Sequence, residues 1–497
     1  MVNKNTRVRI APSPTGALHI GTARSALFNY LFAKNPPTGG IGQFILRIED
    51  TDLERSDLKW TQDIIDGLKW LGIQWDEGPD IGGEYGPYKQ TQRLDNYEKY
   101  LKKLLDEGKA YYCFCSAEEL EEKRQEQMSR GVAPKYDGKC SHLTKEEAEK
   151  KLSAGEPSVI RFRVVSKKVK FKDLIRKEVE FDSGLIGDLV IAKSLRIPLY
   201  NFAVVVDDFE MEISHVIRGE DHIANTPKQI LIQEALDFPT PQYGHLPLIL
   251  APDRSKMSKR FGSVSVAEYR EQGYLPEAMV NFMALLGWNP GTEREIFSLS
   301  QLAKEFSLEK IQKAGAIFNI QRLDFINGFY IREKSLDKLA ELCRPYLKEA
   351  GLLVEGQVSE NKLQKIVEVS RTRMKKLSEI SALSDFFFQD KLSFDKNLLQ
   401  WKGVGDSAAK ESLEYAEKIL SAVKEWDIKV LETELFSASE KFNLEKGYPE
   451  KNKGYLLWPL RVALSGKDSS PSPFEIADIL GREKTLKRIK EAIKMLE

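Results

Sequence analysis

The N-terminal segment carries a strand–helix–strand pattern that strongly restricts how this chain can fold. Arg7 to Ala11 is a short, mainly apolar run that predicts a buried strand, and a Pro/Gly-rich turn follows it. Thr22 to Lys34 has apolar residues at helical spacing and ends at the Pro/Gly-rich cluster 35–40. Phe44 to Ile48 predicts a second strand. Such a βαβ unit predicts an α/β fold whose parallel sheet binds ligands at the carboxyl ends of its strands.

Length and composition indicate a globular protein of several domains. The chain has 497 residues, more than one hydrophobic core normally organises, so we expect two to four domains. A hydrophobic content of 41% with 30% charged residues excludes a disordered chain and a membrane-spanning one. Because the sequence shows no signal-peptide pattern and only four cysteines, we expect a cytoplasmic protein without membrane contact.

The overall charge gives no sign of a nucleic-acid partner. There are 75 basic and 75 acidic residues, so the formal net charge is zero. Any such surface must therefore arise from local asymmetry. The segment 361–377 is one candidate, with six basic residues, one acidic residue and a net charge of +5, and the segment 484–494 is another. Either is equally consistent with a solvated helix face.

The middle and end of the chain differ in pattern from its beginning. Between Tyr111 and Phe162, charged helical sequence and clustered Cys and His residues predict an insertion. Strand-like runs then return at Phe202 to Val206, at Glu212 to Ile217 and at Leu246 to Leu250. We therefore expect a sheet that the insertion splits. From about Leu336 the pattern is helical, and Ser472 with Pro473 and Glu475 predicts a capped helix start.

Two distant motifs carry the chemistry. Pro12 to Thr22 places His19-Ile20-Gly21 at the entrance of the predicted helix, and Lys256 to Arg260 reads KMSKR on a predicted loop. A helix N-terminus offers unpaired N–H groups to a triphosphate, and two closely spaced ammonium groups suit a pyrophosphate leaving group. The motifs resemble the HIGH and KMSKS signatures of class I aminoacyl-tRNA synthetases, with Thr22 replacing the second His and Arg260 the final Ser.

This resemblance implies an ATP site with a defined set of residues. It assigns catalysis to His19, Lys256 and Lys259, and ATP binding to Pro12, Gly16, His19, Gly21, Lys256, Ser258 and Lys259. Taken singly, His19 is also consistent with a simple turn cap, and the lysines with an exposed basic loop. The two motifs together favour the functional interpretation.

The whole chain resembles bacterial-type glutamyl-tRNA synthetases. The segments that carry the resemblance are Arg9 to Gly16, Arg47 to Asp52, Val205 to Asp208, Val216 to His222 and Leu457 to Gly466. It implies a Rossmann-type catalytic domain over 1–95 and 201–250, an inserted acceptor-stem-binding domain over 96–200, a stem-contact region with the KMSKR loop over 251–330 and an all-α anticodon-binding region over 331–497. Glutaminyl enzymes, the closest alternative, usually carry Pro-Glu-Pro-Asn-Gly in the first motif and a β-barrel appendage, which this sequence does not match.

By the same resemblance, six residues form the glutamate site: Arg9, Ser13, Glu49, Tyr200, Asn201 and Arg218. Glutamate presents two carboxylates and one ammonium, which fits two fixed guanidinium groups and one carboxylate. Arg218 is expected to bind the side-chain carboxylate, and Glu49 the ammonium. Arg47 is equally consistent with a structural ion pair, and His215 and His245 are expected to be hydrogen-bonded but not catalytic.

A further cluster predicts a structural metal in the insertion. Cys113-Phe114-Cys115 and Cys140-Ser141-His142 supply three thiolates and an imidazole, a complete tetrahedral set for Zn²⁺ at Cys113, Cys115, Cys140 and His142. Some glutamyl-tRNA synthetases bind zinc with this arrangement. Ordinary reduced thiols are the alternative interpretation.

The predicted function is that of a glutamate–tRNA ligase. It uses ATP and Mg²⁺ to form glutamyl-adenylate and transfers glutamate to the 3′ end of tRNA(Glu). Two close alternatives are a non-discriminating enzyme that also charges tRNA(Gln) and a glutaminyl-tRNA synthetase. A small-molecule nucleotidyltransferase would not need the helical C-terminal region, and a non-catalytic paralogue would not need intact His19, Gly21, Lys256 and Lys259. We expect a monomer.

Overall fold

The computed structural model describes residues 6–52, 54–257, 262, 264–354, 356 and 358–497. The chain divides into two compact units, one comprising 1–271 and 276–323 and the other 272–275 and 324–497. Among the described residues, no helix has the length and apolar character needed to span a membrane.

The bounds of the strands and helices are as follows. The strands are β1 (Arg7–Ile10), β2 (Gln43–Leu46), β3 (Ala110–Cys113), β4 (Val159–Phe162), β5 (Lys168–Asp173), β6 (Lys177–Asp182), β7 (Leu189–Ser194), β8 (Ile197–Pro198), β9 (His215–Gly219), β10 (Gln242–Leu246), β11 (Ile249–Leu250) and β12 (Ala316–Ile317). The helices are α1 (Ile20–Lys34), α2 (Leu58–Trp70), α3 (Leu94–Asp106), α4 (Ala117–Ser129), α5 (Lys145–Ser153), α6 (Tyr200–Glu210), α7 (Thr226–Leu236), α8 (Val266–Glu271), α9 (Pro276–Leu285), α10 (Leu299–Glu305), α11 (Ile320–Glu333), α12 (Leu336–Glu349), α13 (Glu360–Arg371), α14 (Glu379–Phe388), α15 (Asp406–Ala422), α16 (Ile428–Lys446), α17 (Gly454–Ser465), α18 (Pro473–Leu480) and α19 (Arg482–Met495).

A six-stranded sheet forms the centre of the first unit, with strand order β2-β1-β9-β10-β5-β6. All neighbours are parallel except β5 and β6, which form an antiparallel hairpin. All four residues of β1 are buried although Arg7 and Arg9 alternate along it. These two guanidinium groups therefore need buried acidic partners, which Glu77 and Asp208 provide. The βαβ prediction at the N-terminus is confirmed.

The segment between the two halves of this sheet is more complex than one insertion. β3, β4, β7 and β8 form a separate antiparallel sheet in that order. The hairpin of β5 and β6 lies within the predicted insertion 96–200, yet it extends the main sheet through the pairing of Tyr243 with Asp173. The chain thus adds β5 and β6 to the main sheet before it adds β7 and β8 to the separate antiparallel sheet.

Three predicted strands differ from the structure. The run Phe202 to Val206 is not a strand but part of helix α6, where all five residues are buried. A helix covered on all sides gives a continuous apolar run that periodicity cannot distinguish from a buried strand. The strand predicted over 212–217 begins only at His215, because Glu212 adopts a positive φ of 51° in a turn. The run 246–250 is interrupted at Pro247, between β10 and β11.

The second unit is all-helical, as predicted. Helices α13 to α19 surround one apolar core that includes Leu413, Leu435, Leu460, Ile476 and Ile489. The predicted capping box is present at α18, where Ser472 Oγ accepts from the Glu475 amide and Pro473 occupies the first helical turn. The fold class, an α/β catalytic part followed by an all-α region, is confirmed.

Candidate active site

A cavity of about 410 Å³ opens at the carboxyl ends of β1 and β9, beside the N-terminus of α1. It brings together nine predicted site residues from distant parts of the chain: Arg9, Pro12, Ser13, His19, Gly21, Glu49, Tyr200, Arg218 and Lys256. Gly16 and Asn201 do not line it. Ser258 and Lys259 lie outside the described residues, so their roles in ATP binding remain predictions.

His19 is the N-cap of α1 and lines the cavity. Its Nδ1 accepts from the backbone N–H of Gly21 at 3.0 Å. Burial, together with the positive charge of Lys256, lowers the pKa of His19. The ring is therefore neutral at neutral pH, and with Nδ1 as acceptor its proton must be on Nε2. A side chain at position 21 would crowd the imidazole, because its Cβ would lie 3.2 Å from Nδ1.

The segment that follows the KMSKR motif is attached to the turn that precedes α1. The amide of Ile20 donates to the Val264 carbonyl at 2.9 Å, and the amide of Val266 donates to the Leu18 carbonyl at 2.9 Å. Lys256 enters the cavity from the start of the motif, and its ammonium remains largely exposed. The two predicted motifs therefore meet at one site.

Buried ion pairs fix the positions of Arg9 and Glu49 in the cavity lining and of Arg47 behind them. The Arg9 guanidinium makes two hydrogen bonds to Asp208, at 3.1 and 3.2 Å. Arg47 contacts Asp208 at 2.8 Å, Glu49 at 3.2 Å and Asp207 at 3.7 Å. Although Arg47 and Arg9 oppose it, burial raises the pKa of Glu49 above its ordinary value. Arg47 does not line the cavity, so the structural alternative for it is favoured.

Arg218 lines the same cavity, but its hydrogen-bond partners are uncharged groups. Its Nη2 donates to Thr226 Oγ1 and to Gln229 Oε1, both at 2.8 Å, and its Nε lies 3.5 Å from His245 Nε2. The remaining nitrogen, Nη1, has the Tyr200 hydroxyl at 3.5 Å. Within the described part of the chain, no carboxylate lies within 4 Å of this guanidinium. Arg218 therefore has neutral partners only.

Three titratable residues of the cavity lining were not assigned by sequence reasoning. His222 Nδ1 lies 3.0 Å from the Tyr200 hydroxyl, and burial together with Arg218 lowers the pKa of His222 to about 4. Asp221 lies 3.5 Å from the Lys256 ammonium, and Arg24 donates to two backbone carbonyls. Asp221 and His222 lie two and three residues after the end of β9, and that position near a strand end was the signal that marked them. For Arg24 the only signal was a charge among apolar helix positions.

His215 and His245 have hydrogen-bond partners, as expected. His215 Nδ1 lies 2.8 Å from the Ser214 hydroxyl, and burial lowers the pKa of His215 to about 4. His245 Nδ1 lies 2.6 Å from Asp173 Oδ2. Neither lines the cavity.

The thiol groups of Cys113, Cys115 and Cys140 lie within 4.8 Å of one another. The Cys115 and Cys140 sulfurs are 3.6 Å apart, and the Tyr136 hydroxyl lies 3.4 Å from Cys113 and 3.5 Å from Cys115. The predicted fourth ligand, His142, is exposed and is not part of this group. Three converging thiols fit a tetrahedral Zn²⁺ site.

Comparison with known proteins agrees with this geometry. Residues 5–325 match the family described as tRNA synthetases class I (E and Q), catalytic domain, and residues 338–493 match the family described as anticodon binding domain. The glutamate–tRNA ligase of Carboxydothermus hydrogenoformans is 48% identical, covering 97% of this chain and 98% of its own. A glutamate–tRNA ligase of Caldicellulosiruptor saccharolyticus is also 48% identical, with coverage of 97% and 98%. A crystal structure of a glutamate tRNA ligase from Elizabethkingia meningosepticum in complex with its amino acid has a TM-score of 0.88 at 33% identity, covering 99% of this chain and 100% of that chain.

Proposed function

Because this chain belongs to the glutamate–tRNA ligases among the class I aminoacyl-tRNA synthetases, we propose that its cavity activates glutamate with ATP before transfer to tRNA. Enzymes of this class use ATP and Mg²⁺, and the anticodon-binding family match agrees with a tRNA partner. The observation that carries the proposal for the cavity is the convergence of two guanidinium groups and a carboxylate beside a capped helix N-terminus.

We assign the charged groups of glutamate by the partners that each protein group lacks. Arg218 has neutral partners only, so it binds the side-chain carboxylate. The Arg9 guanidinium is paired with Asp208, and its remaining N–H groups bind the α-carboxylate. Glu49 takes the ammonium, and Ser13 and Tyr200 complete the wall. Glutamine would place a neutral amide against a buried guanidinium, and such a mismatch discriminates strongly.

We expect ATP to bind next to the amino acid, at the N-terminus of α1. The helix N-terminus and the Nε2–H group of His19 offer donors to the α-phosphate as its charge grows. Lys256 supplies an exposed point charge for the pyrophosphate. Pro12 and Gly21 keep the adenosine side of the cavity open. Lys259, Ser258 and Gly16 keep the ATP roles predicted from the sequence.

The chemistry requires orientation and charge stabilisation rather than a general base. An α-carboxylate oxygen of glutamate attacks the α-phosphorus of ATP, the bond to the pyrophosphate oxygen breaks, and glutamyl-adenylate forms. Mg²⁺ supplies charge neutralisation on the phosphates of ATP. A ribose hydroxyl at the tRNA 3′ end then attacks the glutamyl carbonyl, and AMP leaves.

The other regions are assigned to tRNA. We propose that residues 96–200 hold the acceptor stem, that 251–330 contact the stem, and that 331–497 bind the anticodon of tRNA(Glu). Zn²⁺ held by Cys113, Cys115, Cys140 and a fourth ligand, predicted to be His142, would stabilise the fold of the acceptor-binding region. The three converging thiols support this role.

Aminoacylation of purified tRNA(Glu) and tRNA(Gln) tests the proposal. Each tRNA is offered labelled glutamate and labelled glutamine with ATP and Mg²⁺. We expect glutamate on tRNA(Glu). Glutamate on tRNA(Gln) as well would define a non-discriminating enzyme, whereas glutamine incorporation, or no charging of tRNA(Glu), would contradict the proposed substrate.

A further inference from the structure

Arg218 is the first of four buried, hydrogen-bonded groups that end in a carboxylate, and we call this chain of groups the relay. Arg218 Nη2 donates to Thr226 Oγ1 at 2.8 Å, and Thr226 Oγ1 lies 2.9 Å from His245 Nε2. On its other side, His245 Nδ1 lies 2.6 Å from Asp173 Oδ2. All four residues are buried, with at most 6% exposure. The chain connects the cavity wall to a strand that does not touch the cavity.

The direction of every hydrogen bond in this chain is determined. A guanidinium only donates, so the Thr226 hydroxyl accepts from Arg218. Its single proton then goes to His245 Nε2 at 2.9 Å rather than to the His222 carbonyl at 3.5 Å. His245 Nε2 is therefore unprotonated, and Nδ1 carries the proton that Asp173 accepts. Burial lowers the pKa of His245, which agrees with this neutral tautomer.

The carboxylate at the end of the chain is ionised and held in place. Asp173 Oδ1 accepts from the backbone amides of Ile175 and Arg176 at 2.9 and 2.7 Å. Although burial opposes it, these bonds and the one from His245 lower the pKa of Asp173. Strand pairing fixes the position of Asp173, because it stands opposite Tyr243 where β5 joins the main sheet.

We propose that Asp173, His245 and Thr226 are positioning residues that orient Arg218 and balance its charge from a distance, leaving Nη1 for the glutamate side chain. This inference rests on the proposed function, since it assumes that Arg218 binds that carboxylate. A carboxylate placed directly on Arg218 would compete with the substrate. A buried guanidinium with no charge compensation would be strongly destabilised. Two neutral groups between the opposite charges avoid both problems.

The Arg9–Asp208 pair in the same cavity shows the alternative arrangement. There a carboxylate contacts the guanidinium directly, through two hydrogen bonds. We infer that Arg218, and not Arg9, is the group whose full charge is reserved for the substrate, and that the relay is the reason.

Thr226→Val provides the sharpest test, because it removes one hydroxyl while keeping the volume of the side chain. Removing a hydrogen bond to a charged group predicts a rise of about tenfold or more in the KM for glutamate. We expect kcat to change much less and the preference for glutamate over glutamine to fall by a similar factor. Thr226→Ser, which keeps the hydroxyl, should restore most of the wild-type KM. His245→Gln should behave like Thr226→Val.

Two controls separate positioning from a general loss of structure. His215→Gln removes another buried histidine that belongs to a different hydrogen bond, and it should leave the KM for glutamate at the wild-type value. A purely structural role for Thr226 would lower the fraction of active enzyme, and therefore the apparent kcat, while leaving the KM and the glutamate preference unchanged. That result would overturn the inference.

Arg218→Gln, measured in the same assay, distinguishes the failure of this inference from failure of the proposed function. If Arg218→Gln loses glutamate selection but Thr226→Val and His245→Gln equal wild type, the relay is refuted and the role of Arg218 stands. If Arg218→Gln itself retains selection, the assignment of the glutamate site is wrong, and the relay inference falls with it.

Discussion

Replacing Glu49 by glutamine should separate substrate affinity from protein stability. Glu49 is a largely buried residue of the cavity lining, with the Arg47 guanidinium 3.2 Å away. The glutamine side chain has the same size but no charge to offer the ammonium of the substrate. Arg47 is not left unpaired, because Asp208 at 2.8 Å and Asp207 at 3.7 Å remain. The variant should therefore fold and lose one specific interaction.

The variant is expected to bind glutamate much more weakly without a comparable loss of stability. Truncating one partner of a buried, hydrogen-bonded charge pair typically costs about 2–5 kcal/mol, which corresponds to a rise in the KM for glutamate of about 30-fold to several thousandfold. Stability should not fall by a comparable amount. Burial raises the pKa of Glu49 in the folded protein, so its contribution to stability is present at low pH and is lost as pH rises through the folded pKa. The ionised form of Glu49 therefore destabilises the fold relative to the protonated form.

The assay is aminoacylation of tRNA(Glu) at saturating ATP, with the KM for glutamate measured over a series of pH values. In the wild type the KM should rise towards the acidic end as Glu49 becomes protonated, and in Glu49→Gln it should be high and flat. Urea unfolding of both proteins at neutral pH gives the stability difference, which we expect to remain within about 1 kcal/mol or to favour the variant.

Glu77→Gln is the matched control. Glu77 is a buried carboxylate on the same sheet, 2.8 Å from Arg7, but it does not line the cavity. Although burial opposes it, hydrogen bonds from Arg7 and Tyr88 lower the pKa of Glu77, so its stabilisation is present at neutral pH and is lost as pH falls through the folded pKa. This variant should lose about 3 kcal/mol of stability and keep the wild-type KM. An unchanged KM in Glu49→Gln, or an acidic limb that survives in it, would refute the reasoning.

Four further predictions concern the ATP site and the thiol cluster. Lys256→Ala should lower the rate of adenylate formation by about 10²-fold with little change in glutamate affinity, because its contact strengthens in the transition state; equal losses in both would contradict that role. His19→Asn keeps a capping side chain for α1 but loses the Nε2–H donor, so ATP–pyrophosphate exchange should fall while thermal stability is retained. About one equivalent of zinc should accompany the purified protein and be lost in Cys115→Ser. His142→Ala should release zinc to a chelator faster than Tyr136→Phe does, and the opposite order would assign the fourth position to Tyr136.

The sequence correctly predicted the helices and strands whose start or end is marked by neighbouring residues. The first strand and helix were found within two residues because a Pro/Gly turn separates them and a breaker cluster ends the helix. The capped start of α18 was equally clear, since Ser472, Pro473 and Glu475 act within one turn. Helix α6 was missed because Phe202 to Val206 is apolar on every face, which removes the periodicity that separates a helix from a strand.

Long-range pairing was beyond the sequence signal. Residues 168–173 alternate between exposed and buried positions in a strand that was not predicted from the sequence, and nothing local indicates that this strand pairs with β10 rather than with the second sheet. Asp208 lies in a segment that the family resemblance includes, but its contact with Arg9 joins residues 199 positions apart. The relay behind Arg218 has the same origin, because Asp173 reaches His245 only once β5 and β10 are adjacent.

Three arginines from neighbouring strands show how the sheet distributes charge across the site. Arg47 follows β2, Arg9 belongs to β1 and Arg218 belongs to β9, and these strands are adjacent in the order β2-β1-β9. Direct carboxylate contacts decrease along that order, from three at Arg47 through Asp208 alone at Arg9 to none within 4 Å at Arg218 among the described residues. Unshared positive charge therefore increases towards β9. We therefore expect glutamate to bind with its side-chain carboxylate on β9 and its α-carboxylate near β1, with the ammonium at Glu49. The same gradient opposes glutamine, because its amide would face a guanidinium that no carboxylate of the described residues contacts within 4 Å.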